Sequence, residues 1–268
     1  MPIAEANGQR LYYEVHGEGE PLLCVMGLGG DHTAWILQVA EWSKTRRVVV
    51  FDNRDVGQSS YADGPYEVSD MAADALALAD VLGLLSFDLV GISLGGAIAQ
   101  EIALAAPGRV RTATIGVSYA ASGNWGAHRA KVLGGIVRGM TREERVELVL
   151  MLVYSEIVFA NPNFTDAARA AMLGNPHPQE PEAFIRQLEA GSRHDARSRL
   201  GELSLPVQVI GAMRDVMIPP QASPELAGLI PGARLTMLEC GHLVNVEAAQ
   251  EFNRLVLDFA AEHAGAPA

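Results

Sequence analysis

Three short runs constrain this chain more than anything else in it. Residues 21–25 (PLLCV), 47–52 (RVVVFD) and 88–92 (DLVGI) are brief, apolar and rich in β-branched side chains. Such runs lack the polar alternation of a half-exposed strand. They suit strands buried on both faces, as in a parallel sheet between two helical layers. Helical spacing of apolar residues fills the gaps, at about 32–43, 68–83 (with Ser69 as the expected N-cap) and 94–106. Residues 9–16 (QRLYYEVH) suit an outer strand, and 111–117 (RTATIGV) another inner one. From 120 to 203 the alternation stops. Helical patterns at 126–139, 141–159, 164–173 and 180–191 follow one another with no convincing strand between them. Strand-like runs return at 205–211 and 233–238, before a closing helix near 246–263. The pattern predicts an α/β fold: a doubly wound, mostly parallel sheet built from 1–119 and 204–268, with 120–203 inserted as a helical cap. The tail 264–268 is expected to fray.

Composition removes several functions. Of the 268 residues 49% are apolar, enough for a large core, and the net charge is −12. An acidic surface repels phosphate backbones and anionic lipid, so neither nucleic acid nor a membrane surface is an expected partner. Cys24 and Cys240 lie in apolar stretches and read as buried thiols, not as a disulfide or metal framework. The N-terminus shows no basic and apolar leader, and no apolar run reaches the ~18 residues of a membrane span. A cytoplasmic location is therefore expected. A homo-oligomer is neither required nor excluded. No zinc, haem, phosphate-cradling or dinucleotide pattern is present, so neither metal nor cofactor is expected.

The chemistry centres on Gly91-Ile92-Ser93-Leu94-Gly95-Gly96, between the apolar run 88–92 and the helical run 94–106. A turn this tight between strand and helix strains the serine backbone and needs near-absent side chains two residues to either side, as Gly91 and Gly95 provide. Ser93 then stands at the C-terminal edge of the sheet. Of seven histidines, His242 follows a strand and precedes the last helix at that same edge, which makes it the candidate base. His32 sits by the glycine turn 26–30 as surface or helix start. Asp215, in the loop after 205–211, is the candidate orienting acid. The position after strand 111–117 offers Val117, Ser118 and Tyr119 but no carboxylate. The order Ser, Asp, His fits this scaffold. Backbone N–H groups of Leu28 and Leu94 are the expected oxyanion donors. The charged loop 52–59 reads as structural, with Arg54 paired to acids and Gly57 in a turn. Trp125 and Met26 are expected to line the substrate pocket. Cap arginines such as Arg129 and Arg138 read as solvated surface, with a substrate carboxylate as their other use.

These residues resemble the α/β-hydrolase superfamily over roughly 20–115 and 205–262. Loop 52–59 is similar to its D-x-R-G-x-G-x-S segment, with Asp55 in place of the usual glycine, and Met26 replaces the common histidine of the His-Gly turn. The stretches around Ser93, Asp215 and His242 look like those of 3-oxoadipate enol-lactonases and small carboxylesterases; the 26–30 turn and the 52–59 loop also look like those of polyketide methylesterases. Dehalogenase and epoxide-hydrolase relatives use an aspartate where this chain has Ser93. Proline iminopeptidases carry a His-Gly-Gly-Pro-Gly turn that is absent here, and perhydrolases commonly have an aromatic at the position of Leu28. The resemblance implies hydrolysis of a small-molecule carboxylic ester or lactone through an acyl-enzyme. A carbon–carbon bond hydrolase and a non-catalytic receptor on the same scaffold are the alternatives.

Overall fold

In the computed structural model, which describes residues 2–264, each apolar run is a strand whose alternate side chains enter two different cores. The chain opens with β1 (Ile3–Ala6), β2 (Gln9–His16) and β3 (Glu20–Val25), then α1 (Ile36–Trp42) and β4 (Arg46–Phe51). Next come α2 (Val68–Val81), β5 (Phe87–Ile92), α3 (Leu94–Ala105) and β6 (Val110–Gly116). Leu23, Val25, Val49, Phe51 and Leu89 enter the core shared with α2 and α3. Leu22, Cys24, Val48, Val50, Val90 and Ile92 point the other way, where Trp42 sits between Trp35 and Phe252 at ring separations of 6.1 Å. This two-sided burial excludes a solvated face from the central strands. Both cysteines are buried free thiols.

Five helices follow β6: α4 (Gly123–Gly139), α5 (Arg142–Val153), α6 (Glu156–Phe159), α7 (Pro162–Gly174) and α8 (Pro181–Arg193). The chain then returns through β7 (Val207–Ala212), α9 (Ala222–Leu229), β8 (Arg234–Leu238), α10 (Val244–Glu247) and α11 (Ala249–Glu262). The eight strands lie in the order β1-β2-β4-β3-β5-β6-β7-β8. Only the β1–β2 and β2–β4 pairs are antiparallel. After β3 the chain crosses to β4 on one side, then returns to β5 on the other. That reversal opens a crevice beyond the C-terminal ends of β3 and β5, the usual place for a ligand in an open α/β sheet.

Several local expectations need correcting. Strand β2 is not the edge, because the four-residue β1 pairs outside it. Glu67, not Ser69, caps α2, in a reciprocal capping box with Asp70. The run 141–159 is two helices. Tyr154 between them is extended (φ −104°, ψ 147°), which turns its ring onto Phe164 at 5.4 Å in a small core of the helical segment. Of the tail expected to fray, 265–268 lie outside the described residues.

Candidate active site

The sheet edge, not the sequence neighbourhood, brings the site together. Between β5 and α3, Ser93 adopts φ 58° and ψ −122°, a conformation that costs free energy in a non-glycine residue. The surroundings enforce it. A Cβ on Gly95 would come within 2.8 Å of the Met26 carbonyl, and one on Gly27 within 2.9 Å of Ser93 Cβ. Ser118 Oγ donates to the Ser93 carbonyl at 2.8 Å, so the carboxylate-free position after β6 serves the elbow instead.

Ser93 Oγ lies 2.8 Å from His242 Nε2, and His242 Nδ1 lies 2.7 Å from Asp215 Oδ2. The other carboxylate oxygen of Asp215 accepts the Met217 and Ile218 backbone N–H groups, each at 2.8 Å. All three residues are buried. The His242 loop is itself tied down. Glu247 accepts from Gly241 N–H and from both the N–H and hydroxyl of Ser155, and Leu243 N–H donates to the Val153 carbonyl. The three residues thus form one hydrogen-bonded line able to pass a proton from the serine to the imidazole, with the carboxylate holding the ring.

Leu28 and Leu94 both line the cavity over Ser93, with Tyr119, Ser122, Gly126, Arg129, Gln187 and Met217 among its other walls. Leu94 is the first residue of α3, so its N–H has no acceptor within its own helix. The Leu28 N–H has no acceptor among the described residues. The turn that carries it is pinned by Asn53 Nδ2, which donates to the Met26 carbonyl at 2.9 Å, and by a Gly30 N–H bond to the Gly27 carbonyl at 3.2 Å. From α8, Gln187 Oε1 accepts the Gly29 N–H at 3.0 Å.

Two pocket expectations fail. Trp125 is 64% exposed, because the cavity face of this segment carries Ser122, Gly126 and Arg129 and the tryptophan lies one residue off that spacing. Met26 is buried in the core with Trp35 and Trp42, its side chain beneath Gly30, and does not line the cavity. The two arginines part company. Arg138 is exposed and paired with Glu182. Arg129 lines the cavity, donates to the Met217 carbonyl, and has no carboxylate partner among the described residues. Its Nε is buried without an acceptor, and burial pulls its pKa down.

Around the cavity, loop 52–59 behaves as a scaffold. Arg54 is paired with Asp74 at 2.6 and 2.7 Å. Gly57 (φ 58°) leaves room for the Asp52 carboxylate. Asp31, His32 and Asp52 bring three ligand-type atoms within 4.8 Å of one another. Asp52 Oδ1 accepts from the His32 N–H and lies 2.7 Å from its Nδ1, while its Oδ2 accepts from Gln58 N–H. Asp31 accepts from Thr33 and, through Asn175 Nδ2 at 2.7 Å, from the helical segment. Asp55, buried at φ 70° where glycine is usual, forms a two-pronged ion pair with Arg186 of α8 at 2.8 and 2.7 Å. Gln187, in the cavity wall, and the Asp55–Arg186 pair that latches α8 to loop 52–59 were not anticipated from the sequence. The signal was a glutamine on the buried face of α8, at position i+4 from Ala183 and i−3 from Ala190.

A strained serine elbow at a doubly wound sheet's switch point defines a fold class, and comparison with known proteins names it. The sequence model of the α/β hydrolase fold family matches residues 20–249. The chain belongs to that family, and hydrolysis is the activity class that membership supports. Among individual relatives, a protein of Azorhizobium caulinodans assigned by name as carbamate hydrolase RutD is 29% identical, covering 98% of this chain and 99% of its own. The enol-lactonase structure from Burkholderia xenovorans superposes with a TM-score of 0.86 at 27% identity, covering 97% of this chain and all of that one. A thermophilic esterase from Thermogutta terrifontis gives 0.84 at 26%, covering 95% and 94%. No helix among the described residues is long and apolar enough to cross a membrane.

Proposed function

We propose that this protein hydrolyses a small-molecule carboxylic ester or lactone through an acyl-enzyme on Ser93. One observation carries the reading: the unbroken Ser93–His242–Asp215 line, buried beneath a cavity and fixed at a strained elbow. Ser93 Oγ attacks the carbonyl carbon while His242 Nε2 takes its proton. The developing oxyanion accepts the Leu28 and Leu94 N–H groups. Collapse breaks the acyl–oxygen bond, and His242 returns the proton to the leaving alkoxide. Water, activated by the same imidazole, then releases the acid. Asp215, oriented by two backbone donors, keeps Nδ1 protonated and stabilises the imidazolium that forms. The helices α4–α8 act as a cap that encloses the acyl group. Arg129, charged and without an acid in the cavity wall, favours substrates with an anionic group near the scissile bond. The enol-lactonase and esterase neighbours support the ester and lactone reading.

A carbamate is the second reading, favoured by the relative assigned that activity. The same three residues would perform it, the difference being a nitrogen on the carbonyl carbon. The test is a panel of p-nitrophenyl esters of rising acyl length, lactones and an aryl carbamate, run on wild type and Ser93→Ala. Ester or lactone turnover is expected to exceed carbamate turnover, and Ser93→Ala to lower kcat by roughly 10⁴-fold or more at unchanged Tm. Retention of a tenth of wild-type kcat by Ser93→Ala would overturn the mechanism. Carbamate as the best substrate would overturn the ester assignment alone.

A further inference from the structure

The turn proposed to hold the oxyanion is glycine-rich, and a glycine-rich turn does not hold itself. Gly27, Gly29 and Gly30 leave the peptides on either side of Leu28 free to rotate at little steric cost. A donor used in a transition state stabilises it only if it is already aimed. Asn53 fixes the near end of the turn from the core, through the Met26 carbonyl. The far end is fixed from α8. Gln187 is fully buried, and its Oε1 accepts the Gly29 N–H at 3.0 Å and the Gln179 Nε2 at 3.0 Å. Its Nε2 donates to the Arg54 carbonyl at 2.8 Å. One amide therefore bridges the turn after β3 and the loop after β4. Gly29 itself (φ 71°) fits beneath Gln179 and the Phe184 ring, where a Cβ would stand 3.1 and 3.5 Å away.

Burying a glutamine is costly unless its polar atoms are satisfied, and an apolar residue would pack the α8 face more cheaply. Attachment of α8 to the core is already provided next door by Arg186 and Asp55. What Gln187 adds is control of the Leu28–Gly29 peptide plane, and with it the direction of the neighbouring Leu28 N–H. We infer that Gln187 is a positioning residue through which the cap helix α8 sets the oxyanion turn, so that the hole is fully formed only while α8 is seated. This rests on the acyl-enzyme reading above.

The test separates aim from anchorage. A trifluoromethyl ketone whose carbonyl accepts Ser93 Oγ forms a hemiketal oxyanion in the hole, its proton passing to His242, whereas the matching methyl ketone binds without one. Wild type and Gln187→Leu would be compared by the affinity ratio of the two ketones, by kcat and KM for the best ester, and by Tm. Gln187→Asn, a methylene too short to reach Gly29 yet still polar, serves if the leucine variant fails to fold. Arg186→Gln removes the neighbouring latch without touching the turn. A roughly 10- to 100-fold fall in the ketone ratio and in kcat, at near-constant KM, is expected for either Gln187 variant, somewhat less than loss of a direct oxyanion donor. Arg186→Gln should lower Tm while leaving the ratio within about twofold. An unchanged ratio in the Gln187 variants, or an equal fall in Arg186→Gln, would overturn the inference. Absence of Ser93-dependent turnover in wild type would instead remove the hydrolase reading beneath it.

Discussion

At the scale of single residues, the cavity wall holds an arginine with no carboxylate ion-pair partner among the described residues. Arg129 spends one guanidinium nitrogen on the Met217 carbonyl and leaves Nε buried without an acceptor. A buried donor without a partner is costly, and a substrate carboxylate would relieve that cost with a charge-assisted bond. Arg129→Gln is therefore expected to raise KM for esters bearing a carboxylate by roughly tenfold to a hundredfold, the equivalent of 1.5–3 kcal/mol. KM for neutral esters of the same length should move less than threefold. Equal effects on both would show that the arginine serves the fold. The three side chains that the structure joins by hydrogen bonds were legible because each sits at a strand end with a distinctive neighbour: the paired glycines around Ser93, the loop after β7, the Gly-His before α10. The sequence could not separate Arg129 from Arg138. Both lie on α4, and only the helix rotation decides which one faces the cavity and which meets Glu182.

Elements explain why the elbow was readable and the pocket was not. The strand-to-helix turn at Ser93 demands glycine through contacts that any version of this sheet would impose. Gly95 abuts the carbonyl groups of Val25, which ends β3, and of Met26, which follows it, so Gly95→Ala should destabilise the fold by about 3 kcal/mol through overpacking. Urea unfolding would measure it, and a change below about 0.5 kcal/mol would show that the turn relaxes. Glycines at such sites are visible to inspection. The pocket instead comes from helices packed on a distant edge, and an error of one residue in helical phase moves a side chain by 100°. Trp125 fell on the wrong side for that reason. The break at Tyr154 was hidden because no proline or glycine marks it; the extended residue is a tyrosine whose ring packs on Phe164. Strand β1 is too short to show a period, and α9 begins with a proline in its first turn, where proline is tolerated but reads as a break.

For the molecule as a whole, two histidines make stability depend on pH in opposite senses. Burial pushes the His194 imidazole down to about 4, against the weaker opposing pull of Glu101. The unfolded chain takes up that proton near pH 6.5 and the folded one does not until about pH 4, so stability falls across that window by about 3 kcal/mol. Burial also opposes charge on His32, but its hydrogen bond to Asp52 and the nearby charges of Asp52, Asp31 and Glu14 prevail and raise it. Its contribution is present below the ordinary histidine range and fades as pH rises through the elevated value. Only His194 carries a large shift, so acid should win. Between pH 7 and pH 4.5, Tm is expected to drop more steeply for wild type than for His194→Asn, by several degrees. Parallel curves for the two proteins would place the acid sensitivity elsewhere.

The two thiols give the molecule a practical property. Cys24 is sealed inside β3 and Cys240 is buried beside the His242 loop, where desolvation and the charges of Glu247, Asp215 and Glu239 push it up to about 12. Neither presents a thiolate to solvent at neutral pH, which is the form that reacts with maleimides and oxidants. A cysteine introduced on the outer face of α4, at exposed Trp125, would then be the single labelling point on an otherwise unaltered chain. A fluorophore or spin label there would report on the surroundings of α4 without any background from the native sulfurs.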